Sequence, residues 1–519
     1  MTNGNETILQ MKDISKAFDS NLALDKVNFA LGANEIHGLL GGNGAGKTTL
    51  MNVLYGLYRE DSGDILLHDK KMDIRSPKDA LQNGIGMVHQ HFLQINNFPV
   101  IQNVVLGTNI KNKLTLNLEL ETKKVKSLCQ RFGIDVDPHT LIEDLPMGMR
   151  QKVEILKALY RGVEVLILDE PTTNLTPQEV DDLFESLSVM VAEGLSIVFI
   201  THKLREVMSV CHRITILRNG QNVTTLDHSE ASEEICVRAM VGEGMDVQKS
   251  IIFSKGSLGP ASIKVGEGVM VDVTNLNLAG AEGVPPLLKD INFKVHESEI
   301  FGVAGVAGNG QSELAECMVG VRPATDGRIM IDDKPSSMNT GDLLANGVTY
   351  IPEDRLEDGY LPKANIAQNL ILGSQRLEPY SKHGFINWKT VFEVSWKLIK
   401  EYNIKTSGPT DLAGNLSGGN IQRVMIARAF AQPTCKLLVA HCPTRGLDLP
   451  SMDFVYEKML ERKQQGTAIL LLSEDLDELL LLCDRIGVMY RGEMVGILTR
   501  DKFEKYEIGR LMSGIKSIA

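Results

Sequence analysis

A glycine-rich segment near the start of the chain has the residue types and spacing suited to holding a phosphate group. Four residues separate Gly41 from Gly46, and Lys47 and Thr48 follow at once, between an apolar run and a helix-like run. Glycines let backbone N–H groups approach an anion, the lysine adds positive charge at the terminal phosphates, and the threonine hydroxyl can bind magnesium. We therefore predict a nucleotide phosphate site formed by Gly41, Gly42, Asn43, Gly44, Ala45, Gly46, Lys47, Thr48 and Thr49.

Two carboxylates follow a second apolar run, and a histidine follows a third. Asp169 and Glu170 end the run that begins at Leu166, and His202 follows the run 196–201. One carboxylate could hold magnesium while the second polarises an attacking water, and a neutral imidazole could reach the γ-phosphate or that water. The Asp-Glu-Pro sequence also suits an ordinary turn, and a single histidine at a strand end is usually structural. Their position downstream of a phosphate segment favours nucleotide hydrolysis instead.

The chain repeats itself at a long interval. The segment 35–48 is echoed by 299–312, the segment 87–90 by 350–353, and the segment 166–172 by 438–444. Order and spacing are kept while identities change, so two tandem copies of one fold explain the pattern better than a solenoid of short repeats. We predict one domain over residues 6–245, a linker over 246–268, and a second domain over 269–516.

Apolar strand-like runs alternate with amphipathic helix-like stretches in both copies, which is typical of an α/β fold. Longer helical periodicity over residues 90–145 and 353–416 predicts a helical insert in each copy. At 519 residues the chain is too long for a single domain.

Composition and charge exclude several classes of protein. The 54 basic and 66 acidic residues give a net charge of −12, which disfavours a protein that neutralises many nucleic-acid phosphates. No apolar run is long enough to cross a membrane, and the N-terminus does not resemble a secretory signal, so we expect a cytoplasmic location. The seven scattered cysteines contain no Cys-x-x-Cys pair and are expected to be reduced thiols.

The order of these features along the chain resembles that of an ABC-type ATPase: the phosphate segment, Gln90, a signature segment, Asp169-Glu170 and His202. Because the chain repeats itself, the resemblance covers nearly the whole sequence. The resemblance implies two tandem ABC-type P-loop ATPase domains, each with a RecA-like α/β core and a helical subdomain. It implies ATP and Mg²⁺ as cofactors. Thr48, Gln90 and Asp169 are then the expected magnesium ligands, and the expected catalytic residues are Lys47, Gln90, Glu170 and His202.

Two further site assignments come from the resemblance. Phe18 is expected to stack on adenine, although it could also be a core aromatic residue. In this family the signature of one copy covers the phosphate segment of the other copy. The second copy has a near-complete signature at Leu416–Asn420, so Ser417, Gly418 and Gly419 are expected to contact nucleotide, whereas the first copy has Pro146 in place of the serine.

The second copy departs from the family at its own catalytic positions. Lys47, Gln90, Asp169, Glu170 and His202 correspond there to Gln311, Glu353, His441, Cys442 and Glu474, respectively. A neutral glutamine in place of the lysine forfeits about 4 kcal/mol of attraction at 4 Å and an effective dielectric of 20. We therefore expect one hydrolytic site per chain, which combines the intact phosphate segment with the intact signature.

Tandem ATPase copies without membrane spans resemble the ATPase subunits of bacterial simple-sugar and nucleoside importers, nearest those for purine nucleosides. The resemblance implies two transmembrane permease subunits, an extracytoplasmic substrate-binding protein and peripheral association with the cytoplasmic face of the inner membrane, without nucleic acid. A ribose- or galactose-type sugar importer ATPase is the first alternative. A soluble tandem ABC ATPase acting on ribosomes or nucleic acid, and a regulator that binds ATP without hydrolysis, are the others.

Overall fold

The computed structural model describes residues 6–19, 21–90, 92–108, 117–242, 250–252, 263–281, 283, 285–336, 339–432 and 435–515. The chain divides into two compact units, Met1–Val247 and Gln248–Ala519, which are called the first and second unit below. The division falls inside the predicted linker 246–268, of which residues 246–249 and 253–262 lie outside the described residues. Within the second unit, the Asp453 carboxylate accepts hydrogen bonds from the backbone N–H groups of Ile251 and Ile252.

The first unit contains two sheets. Its strands are β1 Thr7–Phe18, β2 Asn21–Gly32, β3 Ile36–Leu40, β4 Ser62–Leu67, β5 Lys70–Met72, β6 Ile85–Val88, β7 Val165–Asp169, β8 Ser196–Thr201, β9 Arg213–Arg218 and β10 Gln221–Asp227. One sheet has the order β2-β1-β4-β5 and is antiparallel. The other has the order β10-β9-β3-β8-β7-β6, and every neighbouring pair except β9 and β10 is parallel.

The helices of the first unit cover the parallel sheet and form the predicted insert. They are α1 Lys47–Leu54, α2 Pro77–Gln82, α3 Val100–Val105, α4 Leu118–Phe132, α5 Met147–Tyr160, α6 Pro177–Ala192, α7 Leu204–Val210 and α8 Glu233–Val241. Helix α6 begins with a capping box, in which Thr176 and Glu179 satisfy each other's backbone N–H groups, and Pro177 occupies the first turn. Between β6 and β7, α3 and α4 pack on each other and on α5, so the helical insert is present.

The second unit repeats this arrangement. Its strands are β11 Val269–Leu278, β12 Leu288–His296, β13 Ile300–Ala304, β14 Asp326–Ile331, β15 Lys334–Pro335, β16 Val348–Ile351, β17 Ser381–Lys382, β18 Phe385–Ile386, β19 Leu437–His441, β20 Ala468–Ser473, β21 Arg485–Tyr490 and β22 Glu493–Thr499. The two larger sheets have the orders β12-β11-β14-β15 and β16-β19-β20-β13-β21-β22. The pair β17-β18 is a short hairpin inside the insert, a feature that the helical periodicity did not predict.

The helices of the second unit follow the same order along the chain. They are α9 Gln311–Met318, α10 Thr340–Ala345, α11 Ile366–Leu370, α12 Trp388–Glu401, α13 Gly418–Phe430, α14 Leu449–Gln464, α15 Leu476–Leu482 and α16 Lys505–Met512. Among the described residues, no helix is both long and apolar enough to cross a membrane. All seven cysteines are buried and free, as expected for reduced thiols.

Burial on both faces explains why the central strands read as continuous apolar runs. Every residue of β3, β7, β8, β13, β19 and β20 is buried. A parallel sheet covered by helices on both sides requires such strands, and their carboxyl ends meet at one edge. The residues that follow β3, β6, β7 and β8 in the chain are therefore brought together by the fold.

A buried ion pair holds the second unit together. Lys463 Nζ in α14 lies 2.7 Å from Asp484 Oδ1, and the lysine side chain is fully buried. The second carboxylate oxygen of Asp484 accepts a hydrogen bond of 2.8 Å from the Ile300 N–H at the start of β13. The pair thus connects a helix, the loop before β21 and a central strand.

We expect Lys463→Met to lower the free energy of unfolding of the second unit by about 3 kcal/mol, because it leaves a buried carboxylate without its cation. Both tryptophans, Trp388 and Trp396, belong to this unit, so urea unfolding followed by tryptophan fluorescence reports on it. Lys505→Met is the control, because Lys505 pairs with Asp477 at the exposed surface and should contribute less than about 1 kcal/mol. Equal losses of unfolding free energy in the two variants would contradict the conclusion that the buried Lys463–Asp484 pair stabilises the second unit.

Candidate functional site

The phosphate segment of the first unit forms a tight loop between β3 and α1. Gly44 and Gly46 have φ angles of 74° and 100°, which residues with side chains rarely adopt. A Cβ atom at Gly41 would lie 2.5 Å from the Leu217 carbonyl oxygen, so the loop also needs glycine there for close packing. Gly46 is the N-cap residue of α1 and provides no side-chain cap, which leaves the first backbone N–H groups of the helix for an anion.

Lys47 lies folded over this loop. Its Nζ atom donates to the carbonyl oxygens of Gly41 at 2.7 Å and Gly42 at 3.0 Å, and the residue is only 6% exposed. Burial lowers the pKa of Lys47, while the nearby carboxylates of Glu170 and Asp169 act to raise it. The ammonium group is therefore held at the mouth of the loop by groups that a phosphate could replace.

Asp169 is the buried last residue of β7. Burial and the neighbouring Glu170 charge raise the pKa of its carboxyl group to about 6, although Lys47 and a hydrogen bond with Thr48 act in the opposite direction. The hydrogen bond brings Thr48 and Asp169 together. A hydroxyl and a carboxylate oxygen are ligands that Mg²⁺ accepts, so these two residues fit the predicted metal.

The Glu170 carboxylate is held by two neighbouring side chains. Its carboxylate oxygens lie 2.8 Å from His202 Nδ1 and 3.1 Å from Gln90 Nε2. Burial raises the pKa of Glu170, but the hydrogen bond from His202 and the charges of His202, Lys47 and Lys203 outweigh burial and lower it below its ordinary value. Gln90 uses its amide N–H in this contact, and its amide oxygen can serve as a metal ligand.

The backbone at Glu170 adopts a strained conformation. Its φ angle is 47°, and its N–H donates to the Ile200 carbonyl oxygen of β8 at 3.0 Å. Strain of this kind costs of order 1–3 kcal/mol and tends to occur at functional sites. The residue thus leaves the strand while remaining tied to its neighbour.

The structure places the other predicted residues as follows. Phe18 is 38% exposed and lies outside the core, with its ring edge-on to Tyr58. Ser417 is the N-cap residue of α13, whose first residues are Gly418 and Gly419, and its hydroxyl accepts a hydrogen bond from Asn420. The contacts of Phe18 with adenine and of the signature with nucleotide stay predictions.

Sequence reasoning missed one residue of the site. Glu206 in α7 accepts hydrogen bonds from the hydroxyl groups of Thr172, after β7, and Thr201, before His202, at 2.5 and 2.7 Å. In the second unit, Glu478 accepts from Thr444 and Ser473 at 2.7 and 2.5 Å. Thr172, Thr201 and Glu206 recur 272 residues later as Thr444, Ser473 and Glu478. The repeated segments 166–172 and 438–444 have the same offset, so a comparison of the two copies could have revealed these residues.

The second unit keeps the backbone of this site without its charges. Gln311 takes the place of Lys47 and makes a long contact of 3.4 Å from Nε2 to the Val306 carbonyl oxygen. Cys442 takes the place of Glu170 with a φ angle of 46° and the same backbone hydrogen bond, from its N–H to the Leu472 carbonyl oxygen. The fold is thus retained where the carboxylate is lost.

Comparison with known proteins agrees with this geometry. A family model described as "ABC transporter" matches residues 24–173 and 288–440, once in each unit. The chain belongs to the ABC transporter family. The predicted family, the predicted fold of two tandem ABC-type domains and the predicted class of ATPase are therefore confirmed.

The chain is similar over nearly its full length to import ATP-binding proteins. It is 37% identical to the nucleoside import ATP-binding protein NupA of Lactococcus lactis subsp. cremoris, over 98% of this chain and 99% of that protein. It is 37% identical to the glucose import ATP-binding protein TsgD13 of Haloferax volcanii, over 98% and 96%. It is also 37% identical to the guanosine import ATP-binding protein NupO of Bacillus subtilis, over 98% of both chains.

We expect Glu206→Gln to lower kcat for ATP hydrolysis about 10-fold and to leave KM for ATP nearly unchanged, because the carboxylate positions the loops around Glu170 and His202 but not the phosphate loop. Steady-state ATPase assays measure both constants. Glu234→Gln is the matched control, since Glu234 lies on the exposed face of α8 and pairs with Arg238. A parallel fall in thermal stability with an unchanged kcat would show that Glu206 has a purely structural role.

Proposed function

We propose that this chain hydrolyses ATP at its first unit to energise the import of a nucleoside through separate membrane permeases. The observation that supports hydrolysis most directly is the Glu170 carboxylate, fixed by His202 and Gln90 beside a glycine loop that holds Lys47. This arrangement unites a proton acceptor with a phosphate cradle in one unit.

Each residue has a role that follows from its contacts. The loop N–H groups and Lys47 bind the phosphates, and Lys47 exchanges its contacts with Gly41 and Gly42 for phosphate oxygens. Glu170, which is ionised at neutral pH and whose pKa is lowered further by its neighbours, orients a water molecule and accepts its proton. His202 holds the Glu170 carboxylate through Nδ1, which leaves Nε2 for the γ-phosphate or the water.

Thr48, Asp169 and Gln90 are proposed to hold Mg²⁺. All three offer oxygen ligands, which is the donor set that this hard cation prefers. When bound, magnesium neutralises charge on the β- and γ-phosphate oxygens. The contact of Gln90 with Glu170 means that movement of the loop after β6 also moves the proton acceptor.

The second unit is proposed not to hydrolyse ATP. Gln311 supplies no charge to a phosphate, and Cys442 stands where the proton acceptor would be. Each chain would then perform hydrolysis at one site only, and Ser417, Gly418 and Gly419 would serve that site.

The proposed cargo rests on the relatives named for nucleosides. NupA and NupO match over nearly their full lengths, and TsgD13, which is named for glucose, matches at the same identity. A sugar importer is therefore the second candidate. In either case the chain would work at the cytoplasmic face of the membrane with two permease subunits and an extracytoplasmic binding protein.

We expect Glu170→Gln to lower ATP turnover about 100-fold, the scale of a lost general base, while ATP still binds. Glu164→Gln is the matched control, because Glu164 precedes the opposite end of β7 and pairs with His68 at the surface. Phosphate release measures turnover, and a fluorescent ATP analogue measures binding. Turnover within a few-fold of the wild type would remove Glu170 from the mechanism.

The import of nucleosides is tested by uptake of labelled guanosine, glucose and ribose in cells that carry either the wild-type chain or Glu170→Gln. If the proposal is correct, uptake of guanosine falls sharply in the variant while uptake of both sugars is unchanged. Loss of sugar uptake with normal guanosine uptake would replace the proposal by the sugar-importer alternative.

A further inference from the structure

Three side chains that commonly bind transition metals meet at the edge of the parallel sheet in the second unit. Glu353 follows β16, His441 is the last residue of β19, and Cys442 follows it directly. One ligand atom from each residue lies within 4.8 Å of the others, and His441 and Cys442 are both buried. This group lies at the site of the second unit that is proposed not to hydrolyse ATP.

Two members of the group occupy positions of predicted magnesium ligands in the first unit, and the third occupies the position of the adjacent Glu170. Ser312, Glu353, His441 and Cys442 correspond to Thr48, Gln90, Asp169 and Glu170, respectively. The backbone has the same course, since Cys442 keeps the left-handed conformation and the strand-to-strand hydrogen bond of Glu170. The second unit thus retains the place of a metal site and exchanges its ligands.

The exchange changes the kind of metal that the ligands favour. Oxygen ligands of the first unit suit Mg²⁺, whereas an imidazole, a thiolate and a single carboxylate are the ligands of Zn²⁺ sites. We propose that Glu353, His441 and Cys442 form a Zn²⁺ site in the second unit. The inference does not depend on ATP hydrolysis or on the cargo.

One pair of the proposed ligands already has the separation that a single small ion requires. Zinc binds nitrogen at about 2.0–2.1 Å and sulfur at about 2.3 Å, so two ligands of a tetrahedral ion lie about 3.3–3.8 Å apart. Glu353 Oε2 and His441 Nε2 are already 3.5 Å apart. The Ser312 hydroxyl lies 3.4 Å from the same Glu353 oxygen.

Arg445 orients the carboxylate ligand. Its guanidinium group pairs with Oε1 of Glu353, which leaves Oε2 facing His441 and Ser312. Ligating carboxylates usually have such a hydrogen-bonding partner outside the metal shell. The positive charge of Arg445 repels a bound cation. Other charged groups near the site must therefore offset this repulsion.

Several of those groups are acidic. The carboxylates of Glu353 and Glu313 act electrostatically on His441, and those of Glu353, Glu474 and Glu478 act on Cys442. These negative charges offset the repulsion between Arg445 and a bound cation.

The proposal is tested with Co²⁺, whose thiolate complexes absorb light where Zn²⁺ complexes do not. The full chain is freed of metal with a chelator and titrated with Co²⁺ in the absence of nucleotide. We expect an absorption band that saturates at one equivalent per chain and disappears when Zn²⁺ is added. Cys442→Ser should abolish the thiolate band, and Glu353→Gln should keep the band but weaken Co²⁺ binding at least 10-fold.

Two substitutions serve as matched controls. Cys435→Ser removes another buried cysteine of the same unit, before the opposite end of β19, and Asp169→Asn removes the carboxylate of the first-unit metal site. Both should leave the band unchanged. No band at one equivalent, a band that persists in Cys442→Ser, or a band that is lost in Cys435→Ser would each overturn the proposal. Circular dichroism of every variant shows that the fold is retained.

Discussion

A single backbone hydrogen bond at the end of a central strand sets the geometry of both sites. The N–H of Glu170 donates to the carbonyl oxygen of Ile200, and the N–H of Cys442 donates to that of Leu472. Each bond keeps the chain paired with the next strand for one residue beyond the end of the buried strand, at a positive φ angle. Both residues therefore leave the strand at the same point with the same backbone conformation, although their side chains differ. The fold therefore provides a position, and the residue at that position decides the chemistry.

The buried glutamates explain how such a strained residue is maintained. Glu206 and Glu478 each accept hydrogen bonds from two hydroxyl groups, one on the loop that follows the strained residue and one at the end of the neighbouring strand. Burial and the nearby Asp475 charge raise the pKa of Glu478 to about 7, although its hydrogen bonds with Ser473 and Thr444 act in the opposite direction. The same arrangement occurs in the unit that contains Glu170 and in the unit that has Cys442 instead. We conclude that it ties the loop after the strained residue to the end of the neighbouring strand in both units.

The sequence predicted the fold and most of the first-unit site because both depend on local patterns. Apolar runs marked the central strands, and glycine spacing with a following lysine marked the phosphate loop. The contacts of Glu170 with His202 and Gln90 could be expected in outline, since residues after parallel strands share one edge. The role of Glu206 was missed because a buried carboxylate in a helix gives no local pattern. The β17-β18 hairpin was missed because strands of two residues are too short to show periodicity.

The differences between the two units form a consistent set rather than a random loss. In the first unit Lys47 offsets one of the two carboxylates of Asp169 and Glu170, so these ionisable groups carry a formal charge of −1. In the second unit the lysine and both acids are absent, while Glu353 and Glu474 add two carboxylates and Arg445 adds one cation, which again gives −1. Arg445 replaces Thr173 and binds the new Glu353 carboxylate directly. A half-buried carboxylate without a partner would cost stability, so the presence of Glu353 and the presence of Arg445 are coupled by electrostatics.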